Sequence, residues 1–451
     1  MFHVKPVTAL LVNPYIYDFS AYSFWSSPLG LLTIGALLRK NGFEINKVDC
    51  LRVVEEKRKD DGRAPFLKEK VKPPDCLKGI KKRFRRYGIA PETLNKELSA
   101  IEKPHLILIT SIMTYWYPGA REVLTILREV FPSAKIIVGG IYPSLCYEHA
   151  QATMQKADMV ISNRQIEKFY AFIEGVFPVK LSYKPSPDDI NVLPYPAFDL
   201  YETTIPFVPL LTSVGCMYKC TYCATPYMHP RIIRRQPQSV LEEICYWHER
   251  GVKRYVIYDD NFLYKKEAYA KPLLRGIARL PFSIDIYNPN ALNASLIDSE
   301  IALLLKEANF KEVRVGFETK DTFLQQSTGG KINTNSFENA IHHLFEAGFK
   351  KETIGAYTLA GLPFQRWEDV KASIDCLSDL GVKALIAEYT PIPHTPLFQT
   401  FYMHARYPIK EEPLFQNNAL FPFAWEGFTE EDLLNLKHYV REKNRAFDNS
   451  M

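Results

Sequence analysis

Three of the eight cysteines in this chain fall within eight residues: Cys216, Cys220 and Cys223, in the stretch "TSVGCMYKCTYCATP" from Thr212 to Pro226. Thiolates clustered in this way bind metal, and a cubane of iron and sulfide normally takes four cysteines. With only three at hand, a cubane on this loop leaves one iron open to a substrate or cofactor. Structural zinc is the alternative metal, but it favours closed four-coordinate sites built from paired C-x-x-C knuckles, and no second knuckle or C-x-x-H stands nearby. Buried thiols that bind nothing are the third reading. Cys50, Cys76, Cys146, Cys245 and Cys376 are isolated and suit the role of small buried hydrophobes.

A cysteine loop needs elements to present it. "FVPLLTSVG" reads as a strand ending at Cys216, and "RYVIYDD", "FSIDIYN", "EVRVGFET", "TIGAYTLAG" and "ALIAEYTPIP" as five more. Helical patterns such as "QSVLEEICYWHERG" and "NSFENAIHHLFEAGF" separate most of them. Six such units predict a partial (β/α)6 barrel over residues 205–400, with chemistry at the carboxyl ends of its strands. Upstream, "VTALLVNP", "FEINKVDCL", "HLILIT", "KIIVGG" and "ADMVISN" read as strands, with helices at "PLGLLTIGALLRKNG" and "PGAREVLTILREVF". These predict an N-terminal doubly wound parallel sheet over residues 1–175, interrupted by a charged excursion at 53–100 with one or two helices. Residues 176–204 are rich in proline and read as a linker. Residues 401–451 form a small C-terminal helical region, whose last amphipathic helix covers the barrel. The fold class is α/β.

Hydrophobic residues make up 47% of the chain and charged residues 24%, as in an ordinary globular protein. A net charge of +5, from 56 basic and 51 acidic residues, gives no dominant field for nucleic acid. The one basic cluster, "KGIKKRFRRYG" at 78–88, reads as a solvated helix face or linker, with phosphate contact as the alternative. No secretory signal is evident at the N-terminus, and the longest apolar runs are too short for a bilayer. A cytoplasmic protein with reduced thiols and no membrane partner is expected. Nucleic acid is not an expected partner, since no appended binding domain accompanies the modest basic excess.

The C-x-x-x-C-x-x-C loop, placed after the first of six βα units, resembles the radical S-adenosylmethionine superfamily over about residues 205 to 400. The resemblance implies a [4Fe–4S] cluster on Cys216, Cys220 and Cys223, with S-adenosylmethionine on the open iron. Its reductive cleavage would give a 5′-deoxyadenosyl radical that abstracts a substrate hydrogen. Tyr222 matches the aromatic position beside the adenine. "YVIYDDNF" places Asp260 and Asn261 near the methionyl part or the substrate. "VRVGFET" resembles the Gly-x-Glu stretch and makes Glu318 the acceptor for the ribose hydroxyls. "YTLAGLPFQRWEDV" resembles the fifth-strand loop and nominates Gly361, although Phe364, Gln365 and Arg366 replace its Gly-Glu-Thr. "TPIPHTPLF" resembles the sixth-strand loop with His394 in place of glycine. His394 and His229 are loop histidines that could accept protons.

The first 175 residues resemble the cobalamin-binding domain of the superfamily's cobalamin-dependent branch. "VNPYIYDFSAYSFWSSPLGLLTIGALL" matches the branch's opening, with Asn13 after the first strand. "ILITSIMTYWYPGA" and "IIVGGIYPS" match later loops and place Thr110, Ser111, Gly139 and Gly140 at strand ends. The Asp-x-His-x-x-Gly signature is absent, so that motif supplies no lower histidine to cobalt. Tyr115, Trp116 and Tyr117 could pack on a corrin, fill an emptied pocket or seal an interface. The resemblance implies cobalamin-dependent methylation of an unactivated carbon in a small-molecule or peptide substrate, with a flavodoxin or ferredoxin as electron donor. A non-methylating radical rearrangement, cyclisation or carbon–carbon bond formation is the second reading. A non-catalytic iron–sulfur or cobalamin sensor is the third.

Overall fold

The computed structural model describes residues 6–186, 188–201 and 205–448. Four positions of the expected linker, 187 and 202–204, lie outside the described residues. The chain divides into two compact units, Met1–Ile205 and Pro206–Met451.

The first unit is built on five parallel strands: β1 (Thr8–Asn13), β2 (Glu44–Asp49), β3 (Leu106–Ser111), β4 (Lys135–Gly140) and β5 (Met159–Val160). Their order is β2-β1-β3-β4-β5, so the winding reverses between β1 and β3. The apolar runs "ALLV" and "LILI" are buried throughout, as strands covered on both faces must be. Helices α1 (Leu29–Lys40) and α2 (Tyr117–Val130) supply part of that cover.

The charged excursion folds differently from expectation. It contains one α-helix, Pro91–Ser99, but Lys68–Lys70 and Arg85–Tyr87 join Ile16–Asp18 in a three-stranded antiparallel sheet. The basic stretch is therefore not a helix face: Arg85–Tyr87 is the middle strand, with Phe84, Arg86 and Tyr87 buried. Its apolar support comes from Ile16, Phe66, Tyr115 and Trp116, which are remote in sequence, and three-residue strands carry no readable period.

In the second unit all six expected strands form: β6 (Val208–Leu210), β7 (Arg254–Ile257), β8 (Asp285–Tyr287), β9 (Val313–Glu318), β10 (Ile354–Ala360) and β11 (Lys383–Glu388). They pair in parallel as β6-β7-β8 and β9-β10-β11. Asn288, fully buried, bridges the gap between the halves. Its amide donates to the Arg314 carbonyl at 2.8 Å and accepts from the Arg314 N–H at 3.3 Å. The expected first strand is cut short after Leu210. Ser213–Val214 turn aside and pair antiparallel with Ile233–Arg234, closing the base of the loop that carries the cysteines. Helix α3 (Glu430–Asp448) lies along β11, where the Asn444 side chain pairs with both backbone groups of Ala384. No helix among the described residues is long and apolar enough to cross a membrane.

Candidate active site

The cysteine loop is braced from the end of β7. Asp259 is buried, and its carboxylate receives the Thr212 N–H at 2.7 Å and the Thr212 and Ser213 hydroxyls. Burial pushes its pKa up to about 6, against the pull of those donors. Asp260 ties the loop at both ends, accepting from Gly215 N at 2.8 Å and from the Thr225 hydroxyl at 3.1 Å. Asn261 directs its amide at Cys216 Sγ, 3.7 Å away. Thr225 N lies 3.4 Å from Cys223 Sγ. Asp260 and Asn261 therefore serve the loop itself, one as its clamp and the other as a donor to sulfur.

These N–H donors suit thiolate ligands. Burial raises the pKa of Cys216 and Cys220; Asn261 opposes it at the first, and Lys331 with the Tyr222 hydroxyl at the second. Among the described residues no three His, Cys, Asp or Glu side chains close on a single metal ion. A cubane spreads its ligands over separate irons, and three thiols on one braced loop, each facing donors, fit that geometry.

Glu318 ends β9 in a left-handed conformation, φ 66°, and is buried. A β-bulge between Gly316 and Glu318 turns it out of register. Gly316 makes the space: a Cβ there would lie 2.9 Å from Glu318 Oε1. The carboxylate forms an ion pair with Lys331. Burial acts to lower the Lys331 pKa, but Glu318 and Cys220 outweigh it and leave the ammonium above its ordinary value. Tyr222 completes the group, with its ring centre 6.0 Å from Lys331 Nζ. The structure thus gathers Cys220, Tyr222 and Glu318, as the sequence predicts, and adds Lys331, which no spacing in the sequence singles out.

Two other loops frame the cysteines. Thr221 N donates to the Thr328 carbonyl at 3.0 Å, and Leu397 N donates to the Thr221 carbonyl at 2.9 Å. His394 stacks on Tyr227 just past Cys223, with ring centres 3.9 Å apart and planes 6° apart. At the fifth-strand loop Gly361 takes φ 90°, and its N–H donates to Gln365 Oε1 at 2.9 Å. Gln365 Nε2 in turn donates to the Leu359 carbonyl at 3.0 Å, so a side chain ties this turn. Phe364 stands half-exposed, edge-on to Phe401, His404 and Trp425.

In the first unit, Asn13, Thr110, Ser111, Ile16, Leu51 and Trp116 line a cleft at the carboxyl ends of β1 and β3, where the sheet reverses. Open α/β sheets bind ligands at this place. The Ser111 hydroxyl is buried and makes no hydrogen bond. Gly140, φ 108°, closes on β3: a Cβ there would meet the Ser111 carbonyl oxygen at 2.5 Å. Asn13 donates to Asp49 at 2.8 Å and so braces the strand end. Tyr115, Trp116 and Tyr117 are all buried within this unit, and the Trp116 indole donates to Asp18 at 2.6 Å.

The second unit thus carries a three-thiol loop at the carboxyl ends of its parallel strands, and the first carries a doubly wound sheet with a cleft at its switch point. Residues 210–377 match the radical SAM superfamily. That match implies S-adenosylmethionine and a [4Fe–4S] cluster. The chain is 23% identical over 387 residues to an uncharacterised methyltransferase of Pyrococcus horikoshii, covering 79% of this chain and 80% of the relative. It is 24% identical to the bacteriochlorophyllide d C-12(1)-methyltransferase of Chlorobaculum tepidum, over 58% of this chain and 59% of that protein. Its fold resembles that of the radical S-adenosylmethionine methyltransferase TsrM from Kitasatospora setae, solved with cobalamin and a [4Fe–4S] cluster (TM-score 0.64, 18% identity, 98% of this chain and 91% of that one). It also resembles the cobalamin-dependent S-adenosylmethionine radical enzyme OxsB (TM-score 0.55, 13% identity, 98% and 57%).

Proposed function

We propose that the chain is a cobalamin-dependent radical S-adenosylmethionine methyltransferase that methylates an unactivated carbon of a small molecule. The observation that carries this reading is the pairing, in one chain, of the braced three-thiol loop with the switch-point cleft of the first unit. Cys216, Cys220 and Cys223 would hold the cluster, Glu318 would receive the ribose hydroxyls of S-adenosylmethionine, and the cleft beside Thr110, Ser111 and Gly140 would hold the corrin. Bound there, the cofactors supply a radical and a transferable methyl group, which no protein side chain can provide. The chain's residues fix the thiols, offer N–H donors to them and shield the site. The half-exposed Phe364 ring, set among Phe401, His404 and Trp425, supports an apolar, ring-bearing substrate.

The test is anaerobic reconstitution with iron, sulfide and hydroxocobalamin, followed by metal counts and product analysis. About four irons and one cobalt per chain are expected. With reductant and the methyl acceptor, 5′-deoxyadenosine and S-adenosylhomocysteine should both form. Cys220→Ala should abolish deoxyadenosine formation. Four irons without cobalt would overturn the methyl-transfer reading and favour a non-methylating radical reaction.

A further inference from the structure

Residues 66–87 hold nine basic and two acidic side chains, a local charge of +7 that exceeds the +5 of the whole chain. The stretch forms the hairpin of Lys68–Lys70 and Arg85–Tyr87 in the antiparallel sheet of the first unit. Its connecting loop is ordered. Leu77 is fully buried, its N–H donates to the Pro74 carbonyl at 2.9 Å, and the Val71 N–H donates to the Phe84 carbonyl at 3.2 Å. Lys68, Lys70, Lys72, Lys78, Lys81 and Arg83 are all exposed. None of the six forms an ion pair among the described residues, and Glu69 is taken by the buried Arg86. Like charges held on a fixed backbone repel one another, and an anionic partner relieves that repulsion. Lysine on an edge strand guards against sheet-to-sheet pairing, which explains Lys68 and Lys70. It does not explain Lys72, Lys78, Lys81 and Arg83, which lie beyond the strands.

What surrounds the charges selects the partner. The rings of the stretch, Phe66, Phe84 and Tyr87, are buried, so the ribbon offers no stacking platform to single-stranded nucleic acid. Leu67 is its one exposed large apolar side chain among the described residues, too little to enter a membrane surface. Cations without aromatic or apolar anchors make fast, steered and short-lived contacts with acidic proteins. Electron-transfer encounters are of this small, transient kind, because a carrier must leave after each delivery. The ribbon also adjoins the switch-point cleft. Ile16 pairs with Tyr87, Trp116 packs in the ribbon's apolar core, and both residues line the cleft.

We propose that this ribbon is the docking surface for an acidic electron-carrier protein bearing a flavin or an iron–sulfur centre. The proposal rests on the radical methyltransferase reading, whose chemistry consumes electrons. Each encounter oxidises the carrier by one electron and reduces a metal centre of the enzyme by one, and no bond forms or breaks at the surface.

Fluorescence anisotropy of a labelled, strongly acidic flavodoxin titrated with the reconstituted enzyme reads docking without turnover. Binding at about 50 mM salt should weaken about tenfold at about 200 mM, where charges are screened over a shorter range. Reversing two charges of the loop, Lys78→Glu with Lys81→Glu, should weaken it by about tenfold or more. Lys168→Glu with Lys180→Glu, an equal change of net charge at exposed positions elsewhere in the unit, should leave it within about twofold. Turnover separates docking from chemistry. The loop variant should lose about tenfold in kcat/KM for reduced flavodoxin and match wild type with dithionite, which needs no docking. Equal flavodoxin affinity of wild type and loop variant overturns the proposal, as does equal weakening by the two charge reversals. Tighter, loop-dependent binding of single-stranded RNA or of anionic vesicles also overturns it and gives the ribbon to that class of partner. If wild type with dithionite forms neither 5′-deoxyadenosine nor S-adenosylhomocysteine, the functional reading falls alone, and flavodoxin binding still decides the ribbon.

Discussion

His394 occupies a left-handed backbone position, φ 67°, where the sixth-strand pattern that this chain resembles has glycine. A non-glycine residue there costs roughly 1–2 kcal/mol. Its ring recovers part of that by stacking on Tyr227, since aromatic pairs contribute about 0.5–1.5 kcal/mol beyond burial. His394→Ala and His394→Gly both delete the stack, but only the alanine keeps the strain. The glycine variant should therefore be the more stable of the two by about 1 kcal/mol, as read from urea unfolding. Asp259 offers a second test at this scale. Burial raises its pKa to about 6, so the folded state holds that proton more tightly than the unfolded chain does. Its stabilising contribution is complete below the ordinary carboxylate range and is lost as the pH rises through 6. Asp259→Asn should cost about 1–3 kcal/mol by setting an amide N–H against the Thr212 and Ser213 donors. The gap between wild type and variant in urea midpoint should be wider at pH 5 than at pH 8.

At the scale of elements, strand β11 ends its sheet and exposes a row of backbone groups that α3 answers with one side chain. Asn444 accepts from Ala384 N at 3.1 Å and donates to the Ala384 carbonyl at 2.9 Å, imitating one step of a neighbouring strand. Asn444→Leu should release the Ala384 amide, and hydrogen exchange there should quicken about tenfold, the loss of roughly one hydrogen bond. This contact marks the limit of what the sequence discloses. The covering helix is legible from its amphipathic pattern, and the long strands from their apolar runs, because those signals are local. The Asn444 pairing, the Asn288 bridge and the ribbon through Arg85–Tyr87 are not, because their partners lie far along the chain and the strands are short. The site divides in the same way. Cys216, Cys220, Cys223 and Glu318 stand in recognisable stretches, whereas Lys331 matters through the space that Gly316 vacates. Asp259 adjoins two residues that the pattern names, and only the donors at Thr212 and Ser213 reveal its task.

For the whole molecule, the assignment of two cofactors to two compact units makes their loading separable. The cluster ligands sit on a loop between β6 and β7 of the second unit, and the cleft at Ser111 belongs to the first. Each unit has its own buried sheet, so a change at one ligand site should not unfold the other. Cys220→Ala should lose most of its iron and keep cobalt near one per chain. Ser111→Leu, which puts an apolar side chain into the switch-point cleft, should lower cobalt several-fold and keep about four irons. Metal analysis of the two reconstituted variants beside wild type decides this. Loss of both metals in Ser111→Leu would mean that the first unit supports the barrel rather than a corrin. Full cobalt in the same variant would move the corrin away from this cleft. The expected pattern, each variant losing one metal only, would mean that methyl donor and radical source are held by separate cores.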